Sequence, residues 1–227
     1  MSQHEDAGPQ DRWFGVVFDM DGVLVDSADA HFRSWRILAE ERGRRVSAEQ
    51  FASTFGMQNR DIVPLLLPEA SGAEMHRLAD RKEEIYRGLV RERPPIVEGA
   101  VELVRSLHAA GAALAIGSSA PRANIDLMLS AMSVAELMNA VVSAEDVERG
   151  KPDPQVFQLA CRRLRLPPER CVVIEDAPAG VAAARAAGAK CLAVTIHHPR
   201  EALSRAHQTV DRLSQVTVDQ LRRLALL

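Results

Sequence analysis

The stretch Val16-Val17-Phe18-Asp19-Met20-Asp21-Gly22-Val23-Leu24-Val25-Asp26-Ser27 decides how this chain folds. The apolar run from Trp13 to Phe18 predicts a strand that is buried on both faces, as in a parallel sheet. An ionised carboxylate at the end of such a strand is costly unless it is paired or binds a cation. Asp19 and Asp21 stand two residues apart, so an extended backbone directs both side chains to the same side. The stretch therefore indicates a metal site or a catalytic pair of carboxylates.

Two other interpretations of this stretch are a calcium-binding loop and a plain turn. A calcium loop requires a glycine at its sixth position and a bidentate glutamate at its twelfth. Counted from Asp19, those positions hold Leu24 and Ala30, which excludes the calcium loop. A turn at Asp21-Gly22 is common at strand ends and requires no ligand. The stretch alone leaves the turn open, although ligands of parallel sheets bind at the carboxyl ends of strands.

Composition restricts the class of protein. The chain has 227 residues, of which 47% are hydrophobic and 26% are charged, enough for one domain with a smaller insert. A net charge of only −3 argues against a surface for nucleic acid or membranes. No stretch reaches the ~18 apolar residues of a membrane span. The small net charge and the lack of a long apolar patch favour a monomer.

Two further features bear on the cellular setting. The three cysteines are an odd, widely spaced set, which fits neither a disulfide framework nor a CxxC metal site and favours a reducing compartment. Residues 1–12 are polar and acidic and lack the basic and apolar regions of a signal peptide. We therefore expect a flexible tail at residues 1–12 and a cytoplasmic protein.

Residues 28–95 predict an all-helical insert. Helical patterns cover 28–42, begin again at the capping box Ser47-Ala48-Glu49-Gln50, and continue over 61–67 and 73–91. No strand-like alternation interrupts them, and Arg93-Pro94-Pro95 is typical of a linker. The predicted organisation is a catalytic core of residues 13–27 and 96–227 with the insert between its two parts.

Strands and helices alternate after this linker. Apolar strand patterns end at Ile116, Val142, Ile174 and Thr195, with helical patterns between them. Such alternation predicts an α/β fold, in which a parallel sheet is covered by helices on both faces.

Polar side chains collect where the predicted strands end. These side chains are Asp19 and Asp21, Ser118 and Ser119, and Glu175 and Asp176. Because ligands of an open parallel sheet bind outside the carboxyl ends of its strands, we expect these side chains to share one crevice. Three strands that end in acids or hydroxyls indicate a site far more strongly than one strand does.

These groups together fit phosphoryl transfer. A carboxylate such as Asp19 can attack phosphorus and form an aspartyl-phosphate. A phosphate dianion repels that carboxylate, by about 4 kcal/mol for unit charges 4 Å apart at an effective dielectric near 20, so cations must be supplied. Asp176, with Glu175 beside it, can help Asp19 to bind Mg²⁺, which takes hard oxygen ligands. Lys151 in Gly150-Lys151-Pro152 can supply a second cation.

Hydrogen-bond donors and a proton carrier complete this hypothesis. Ser118, with Ser119 and the amides after the strand, can donate to phosphoryl oxygens. Asp21 can protonate the leaving oxygen and then accept the proton of the incoming one. We expect the neighbouring carboxylate to raise the pKa of Asp21, as the acid role requires.

Each of these residues also has an ordinary structural explanation. Ser118 fits a turn, Lys151 fits a solvated loop, and Glu175-Asp176 fits a helix cap. Coincidence is a poor explanation for all of them in this order, each at a strand end or in a loop. The spacings of a phosphate loop and of a dinucleotide fingerprint are both absent.

The sequence resembles the haloacid dehalogenase superfamily. Its four motifs are matched by residues 18–27, by Ser118, by Gly150-Lys151-Pro152 and by Ile174-Glu175-Asp176-Ala177-Pro178-Ala179-Gly180. The resemblance covers residues 13–213 and implies a Rossmann-like core with a helical cap inserted after the first motif. It also implies Mg²⁺ held by Asp19, Asp176 and the main-chain carbonyl of Asp21, and it implies phosphoryl transfer.

The start of the insert is similar to the cap of the beta-phosphoglucomutase-like branch of that superfamily. Ala30-His31-Phe32-Arg33-Ser34-Trp35 resembles the first cap helix, which implies that His31 and Trp35 lie near the active site. Without the resemblance, both residues fit the packed apolar stripe of a helix.

Two later segments of the insert also resemble that branch. Phe55-Gly56-Met57-Gln58-Asn59-Arg60-Asp61 is similar to its substrate loop, and Arg81-Lys82 is similar to a later basic pair. The spacing from Gly56 to Arg60 is one residue longer than in the mutases, so the binding of a distal phosphate by Arg60 is open. Arg60 and Lys82 also fit ordinary surface charges.

Four functions are compatible with these observations. The first is a Mg²⁺-dependent phosphatase for a small phosphorylated metabolite such as a sugar phosphate, and the second is a sugar phosphomutase of the beta-phosphoglucomutase type. They differ in whether water or a sugar hydroxyl accepts the phosphoryl group. A signalling receiver domain phosphorylated on Asp19 leaves Asp21 and the long insert unexplained. An inactive binding relative leaves the complete set of site residues unexplained, so we predict the phosphatase first.

Overall fold

The first predicted strand lies at the centre of the sheet. In a computed structural model, which describes residues 13–54 and 57–227, the strand β1 (Gly15–Phe18) is entirely buried. The other strands are β2 (Ala113–Gly117), β3 (Ala140–Val142), β4 (Cys171–Glu175), β5 (Lys190–Val194) and β6 (Gln208–Val210). Within the described residues, every pairing between these six strands is parallel, and the order is β3-β2-β1-β4-β5-β6. The order reverses at β1, which opens a crevice at the carboxyl edge beside this strand.

The insert is helical, as predicted, and no strand occurs among its described residues. Its helices are α1 (Ala28–Glu40), α2 (Ala48–Ala52), α3 (Asn59–Leu66) and α4 (Ala73–Arg91). They share a hydrophobic core of their own that includes Trp35, Val63 and Leu67. The two connections to the sheet run side by side, because the N–H of Asp26 donates to the carbonyl of Pro95 at 2.7 Å. We call this helical insert the cap.

The pleat of β1 explains its continuous apolar run. Val16 and Phe18 belong to the hydrophobic core on one face of the sheet, and Val17 belongs to the core on the other face. The covering helices are α5 (Ala100–Ala109), α6 (Arg122–Met132), α7 (Gln155–Leu164), α8 (Pro178–Ala186) and α9 (Val218–Ala225). Buried residues of α5, α6 and α9 cover the first face, and those of α7 and α8 cover the second. The sheet is therefore buried on both sides, as the sequence predicts.

The register of the central strands aligns their carboxyl ends. Phe18 lies beside Ile116 of β2 and beside Ile174 of β4. The N–H of Asp19 donates to the carbonyl of Ile174 at 3.0 Å, which extends the ladder by one residue. Residues that follow these three strands therefore meet at one edge.

Several local predictions can be compared with the structure. The capping box is confirmed, since the N–H of Gln50 donates to Oγ of Ser47 at 3.2 Å and the N–H of Ser47 donates to Oε1 of Gln50 at 2.9 Å. The strand β6 was not predicted, because it is a half-buried edge strand of three residues with no apolar run. The predicted tail of residues 1–12 lies outside the described residues. Among the described helices, none has both the length and the apolar character that crossing a membrane requires.

Candidate active site

A cavity of about 740 Å³ lies between the cap and the carboxyl edge of the sheet. From the core, its lining includes Asp19, Asp21, Ser118, Ser119, Lys151, Glu175 and Asp176. From the cap, its lining includes His31, Trp35, Arg60 and Lys82. The structure therefore brings together every predicted site residue except Gly56, which lies outside the described residues.

Lys151 lies between two carboxylates. Its Nζ is 2.9 Å from Oδ1 of Asp19 and 2.7 Å from Oε1 of Glu175. Burial disfavours the ammonium, but the two carboxylates outweigh burial and hold the pKa of Lys151 above its usual value. Burial, opposed by Lys151 and assisted by the charges of Glu175 and Asp21, raises the pKa of Asp19 to about 7. The predicted cation is thus in direct contact with the predicted nucleophile.

Glu175 has both carboxylate oxygens engaged within the protein. Its Oε1 accepts a hydrogen bond from Lys151, and its Oε2 accepts the N–H groups of Asp176 at 2.8 Å and Ala177 at 2.9 Å. Gly180 leaves room for this carboxylate, because a Cβ at position 180 would lie 1.6 Å from Oε1. Besides lying within reach of a cation, Glu175 therefore holds Lys151 in position.

Asp176 has an oxygen atom that fits a bound cation. Oxygens of Asp19, Glu175 and Asp176 lie within 4.8 Å of one another, and Oδ2 of Asp176 is buried with no hydrogen-bond partner. Burial and the charges of Glu175 and Asp19 raise the pKa of Asp176 to about 9. Gly22 has a φ of +77°, and a Cβ on it would lie 2.0 Å from that same Oδ2. Buried hard oxygens with an orphaned atom fit a metal ion, whose charge would offset the cost of burying them.

Asp21 is held by two residues that follow the strand. Its Oδ1 accepts a 2.5 Å hydrogen bond from Oγ of Ser27 and lies 3.4 Å from Nε2 of His31. The predicted rise in the pKa of Asp21 is wrong. Burial does raise this pKa, but the contacts with His31 and Ser27 and the charge of Lys82 outweigh burial and lower it below its usual value. The sequence showed the neighbouring carboxylate of Asp19, but it did not show these donors.

Polar contacts continue from Asp21 into the cap. Nδ1 of His31 lies 2.7 Å from Nζ of Lys82, and the ring of Tyr86 stacks on His31 with centroids 4.1 Å apart. Lys82 is buried, and its Nζ lies 5.6 Å from the centroid of the Trp35 ring. Lys82 is therefore not a surface charge, and His31, Trp35 and Lys82 form one cluster beside Asp21.

The two serines follow β2. Ser118 is fully buried, and its Oγ accepts the N–H of Ala120 at 3.1 Å. This bond uses the oxygen as an acceptor, so the hydroxyl proton can be donated to a ligand in the cavity. Ser119 is partly exposed and lines the same wall.

Arg60 lies at the junction of the cap and the core. Its guanidinium donates to the carbonyl of Glu148 at 2.9 Å, and its side chain is 56% exposed. Arg60 thus contacts the core backbone. Its predicted binding of a distal phosphate stays a prediction.

Sequence reasoning missed several polar residues of the cavity wall. Glu83 is buried and accepts hydrogen bonds from Lys82, Asn59 and Asn124. These partners come from three helices, and only the packing of those helices brings them together. The available signal was helical spacing, since Glu83 shares the buried stripe of α4 with Tyr86.

Comparison with known proteins places this site in a family. The family model of haloacid dehalogenase-like hydrolases matches residues 15–188. The chain is 32% identical over 216 residues to the chloroplastic 5-amino-6-(5-phospho-D-ribitylamino)uracil phosphatase of Arabidopsis thaliana, over 94% of this chain, and it spans 58% of that relative's length. It is 30% identical over 187 residues to the phosphorylated carbohydrates phosphatase of Thermotoga maritima, over 80% of this chain and 85% of the relative.

A solved structure shows the same fold. The beta-phosphoglucomutase from Clostridium difficile superposes with a TM-score of 0.84 at 24% sequence identity, over 93% of this chain and 96% of that one. The resemblance inferred from the four motifs is thereby confirmed. This chain belongs to the haloacid dehalogenase-like hydrolase family.

Proposed function

We propose that this chain is a Mg²⁺-dependent phosphatase that hydrolyses a small phosphorylated metabolite, such as a sugar phosphate, through an aspartyl-phosphate on Asp19. The observation that carries this proposal is the position of Lys151 against Asp19, with the free oxygen of Asp176 in the same cluster. A lone carboxylate would repel a phosphate dianion, and an ammonium with a divalent cation offsets that repulsion. The two phosphatase relatives described above support the same class of reaction.

The metal would be held at the carboxyl edge of the sheet. Asp19, Asp176 and the main-chain carbonyl of Asp21 would be its ligands, with Glu175 adjacent. Carboxylate and carbonyl oxygens suit Mg²⁺ better than they suit softer metals. When bound, the ion supplies positive charge that offsets the charge on the phosphoryl oxygens.

The side chains of this site can carry out two steps. In the first step, a carboxylate oxygen of Asp19 attacks phosphorus, the ester P–O bond breaks, and the leaving oxygen takes a proton from Asp21. In the second step, a water oxygen attacks the same phosphorus, Asp21 accepts its proton, and the bond to Asp19 breaks to release inorganic phosphate. Ser118 and Lys151 hold the phosphoryl oxygens through both steps.

The lowered pKa of Asp21 suits its role as the base of the second step and opposes its role as the acid of the first. Its lowered pKa keeps Asp21 ionised in the free protein, which is the form that accepts a proton from water. A phosphate dianion in the cavity is a like charge and raises this pKa, which favours the protonated form that the first step requires.

We extend the proposal to the organisation and the setting of the protein. Residues 28–95 act as a cap over a core of residues 13–27 and 96–227, and the substrate binds between the two. The protein acts as a cytoplasmic monomer on small molecules rather than on nucleic acid or membranes. Three unpaired cysteines support a reducing compartment, and the small net charge supports a monomer.

A sugar phosphomutase of the beta-phosphoglucomutase type is the second candidate. It is supported by the buried Lys82 beside His31, since a cation in the cap can bind a second anionic group. In a mutase, a sugar hydroxyl takes the place of the attacking water. A signalling receiver domain leaves the cap unexplained, and the hydrolase family match favours an enzyme.

The test is the hydrolysis of p-nitrophenyl phosphate by the purified chain. We expect turnover with Mg²⁺, loss of turnover with EDTA, and no turnover in Asp19→Asn. Asp29→Asn, which removes an exposed carboxylate of α1, serves as the matched control and should retain full activity. Turnover that persists in Asp19→Asn would contradict the proposal.

A screen of phosphorylated metabolites separates the two enzymes. Coupled detection of free phosphate and of isomerised product should give phosphate alone for a phosphatase. Conversion of beta-glucose 1-phosphate to glucose 6-phosphate that depends on a trace of bisphosphate would instead identify a mutase.

A further inference from the structure

The cap turns three cationic side chains towards the cavity, and each already has an acceptor. Among the described lysines and arginines of the cap, those that line the cavity are Arg60, Lys82 and Arg87. Nζ of Lys82 lies 2.8 Å from Oε1 of Glu83, with both side chains buried. The guanidinium of Arg87 donates to Oδ1 of Asn124 at 3.0 Å, and that of Arg60 donates to a core carbonyl at 2.9 Å. Of these three cations, Lys82 is the one whose partner is a buried carboxylate.

Glu83 is at the centre of this arrangement. Its Oε1 accepts from Nδ2 of Asn59 at 2.5 Å in addition to the Lys82 contact, and its Oε2 accepts from Nδ2 of Asn124 at 2.6 Å. Burial raises the pKa of Glu83, but Lys82, His31 and Asn59 outweigh burial and hold this pKa below its usual value. Glu83 is therefore a buried carboxylate with three donors, and the hydrolysis steps do not require it.

Glu83 and Arg87 both form hydrogen bonds to one side-chain amide of the core. They stand one helical turn apart on α4, and both bind Asn124 of α6, which is itself 2% exposed. Nδ2 of Asn124 donates to Oε2 of Glu83, and Oδ1 of Asn124 accepts from the guanidinium of Arg87. This pairing fixes Arg87, which lines the cavity, to the side-chain amide of a core helix.

The rest of the wall is suited to hydroxyl groups. Three more carboxylates line the cavity, namely Asp80, Glu84 and Glu145. Asp80 can accept hydrogen bonds from hydroxyls, whereas Glu84 is paired with Arg81 and Glu145 already accepts the N–H of Arg122. The negative charges of Asp80 and Glu145 disfavour a second phosphate. Gln58 also lines the cavity, and its Nε2 is buried with no hydrogen-bond partner, so this side chain has an unused donor.

We propose that Glu83 is a specificity-determining residue, which makes the cavity selective for monophosphate esters whose remaining part is uncharged and rich in hydroxyls. Its carboxylate neutralises Lys82 and fixes the amide that holds Arg87, so one end of the cavity binds phosphate and the other end does not. This inference rests on the proposed phosphatase function, because it assumes that Asp19 and Lys151 face the scissile phosphate. It also distinguishes this chain from the mutase candidate, in which Lys82 would bind a second phosphate.

Equilibrium binding tests this proposal without turnover. Fructose 1-phosphate and fructose 1,6-bisphosphate are titrated calorimetrically into Asp19→Asn protein at the same excess of Mg²⁺. We expect the bisphosphate to bind no more tightly than the monophosphate. Adding Glu83→Gln, which keeps an acceptor for Asn124 but removes the charge, should tighten bisphosphate binding by about tenfold, equivalent to about 1.4 kcal/mol, and should change monophosphate binding by less than about twofold.

Two further variants identify the cause of such a change. Lys82→Met in the Glu83→Gln background should remove the gain, because the released cation is then absent. Glu74→Gln removes an exposed carboxylate of the same helix, paired with Arg42 outside the cavity, and should leave both affinities unchanged.

The outcomes that overturn the proposal are specific. Tighter binding of the bisphosphate before Glu83 is changed would overturn it, even if Glu83→Gln failed to fold. Binding of neither sugar, or no gain in Glu83→Gln, would also overturn it. Failure of the proposed function is a separate result, namely the absence of p-nitrophenyl phosphate hydrolysis by the unsubstituted protein.

Discussion

A Cβ placed on Gly22 would lie 2.0 Å from Oδ2 of Asp176. The backbone after β1 and the carboxylate after β4 thus approach more closely than any side chain at position 22 would allow. The φ of Gly22 is +77°, so the turn also requires a conformation that other residues adopt at a cost. The glycine of the first motif serves the candidate metal site as well as the turn.

Gly22→Ala tests this relationship, with Gly43→Ala as its control. Both glycines have positive φ, and nothing lies within 4 Å of a Cβ on Gly43. Gly43→Ala should cost about 1 kcal/mol of unfolding free energy because of its backbone conformation, and Gly22→Ala should cost more because of the added clash. Gly22→Ala should also displace Asp176, lower kcat by about 100-fold and weaken the dependence on Mg²⁺. Equal activities of the two variants in a Mg²⁺ titration would contradict the claim that Gly22 leaves room for the carboxylate of Asp176.

Alanine substitutions at a second pair of glycines should change the stability of the protein in opposite directions. Gly180 and Gly88 both lie in helices, but a Cβ on Gly180 would lie 1.6 Å from Oε1 of Glu175, whereas Gly88 has open space. We expect Gly88→Ala to stabilise the protein by about 0.5–1 kcal/mol through helix propensity. Gly180→Ala should destabilise it by about 2–3 kcal/mol and lower kcat, because it moves the carboxylate that holds Lys151.

Urea unfolding and steady-state kinetics measure both effects. A stabilised and fully active Gly180→Ala would show that Glu175 can leave Lys151 at no cost.

The core of the site was predictable because strand ends are local in sequence. Asp19, Ser118 and Asp176 each follow an apolar run, and the parallel register brings such positions to one edge. The contact between Glu175 and Lys151 was not predictable, since sequence spacing does not show the orientation of a carboxylate side chain. The pKa of Asp21 depends on His31, whose placement is set by the packing of α1 on the core.

The helices of the cap were predictable, but the contacts of the side chains that line its cavity were not. The spacing of α4 marks Glu83 as inward-facing, yet its donor Asn124 belongs to a helix of the core. Contacts between helices of different parts of the chain depend on packing, which no local pattern encodes. The same reason explains why Arg87 was missed.

Stability should depend on pH through Asp146, whose carboxylate holds the loop after β3. Hydrogen bonds from Arg163, opposed by burial and assisted by Ser143, lower the pKa of Asp146 to about 2 from 3.8. Because the folded-state pKa is the lower one, this stabilisation is present above about pH 4 and is lost as the pH falls towards 2. Asp146→Asn should cost about 1–2 kcal/mol at pH 7, and the difference from the unsubstituted protein should shrink over that acid range.

Asp126→Asn is the matched control for this measurement. It removes a carboxylate from an exposed pair with Arg122 and should cost less than about 0.5 kcal/mol at pH 7. Urea unfolding at a series of pH values compares the two variants. A difference between Asp146→Asn and the unsubstituted protein that stays constant down to pH 2 would exclude the carboxylate as its source.

The central claim is that Asp19 carries the phosphoryl group and Asp21 carries the proton, and trapping the intermediate tests it most directly. p-Nitrophenyl phosphate has a leaving group that departs without protonation, so Asp21→Asn should still allow the first step while it blocks the second. The account predicts a burst of one nitrophenolate per protein, followed by a stall. It also predicts one phosphoryl group on Asp19 in the mass spectrum of the acid-quenched, digested protein. Linear release without a burst, or a phosphoryl group on another residue, would contradict the account.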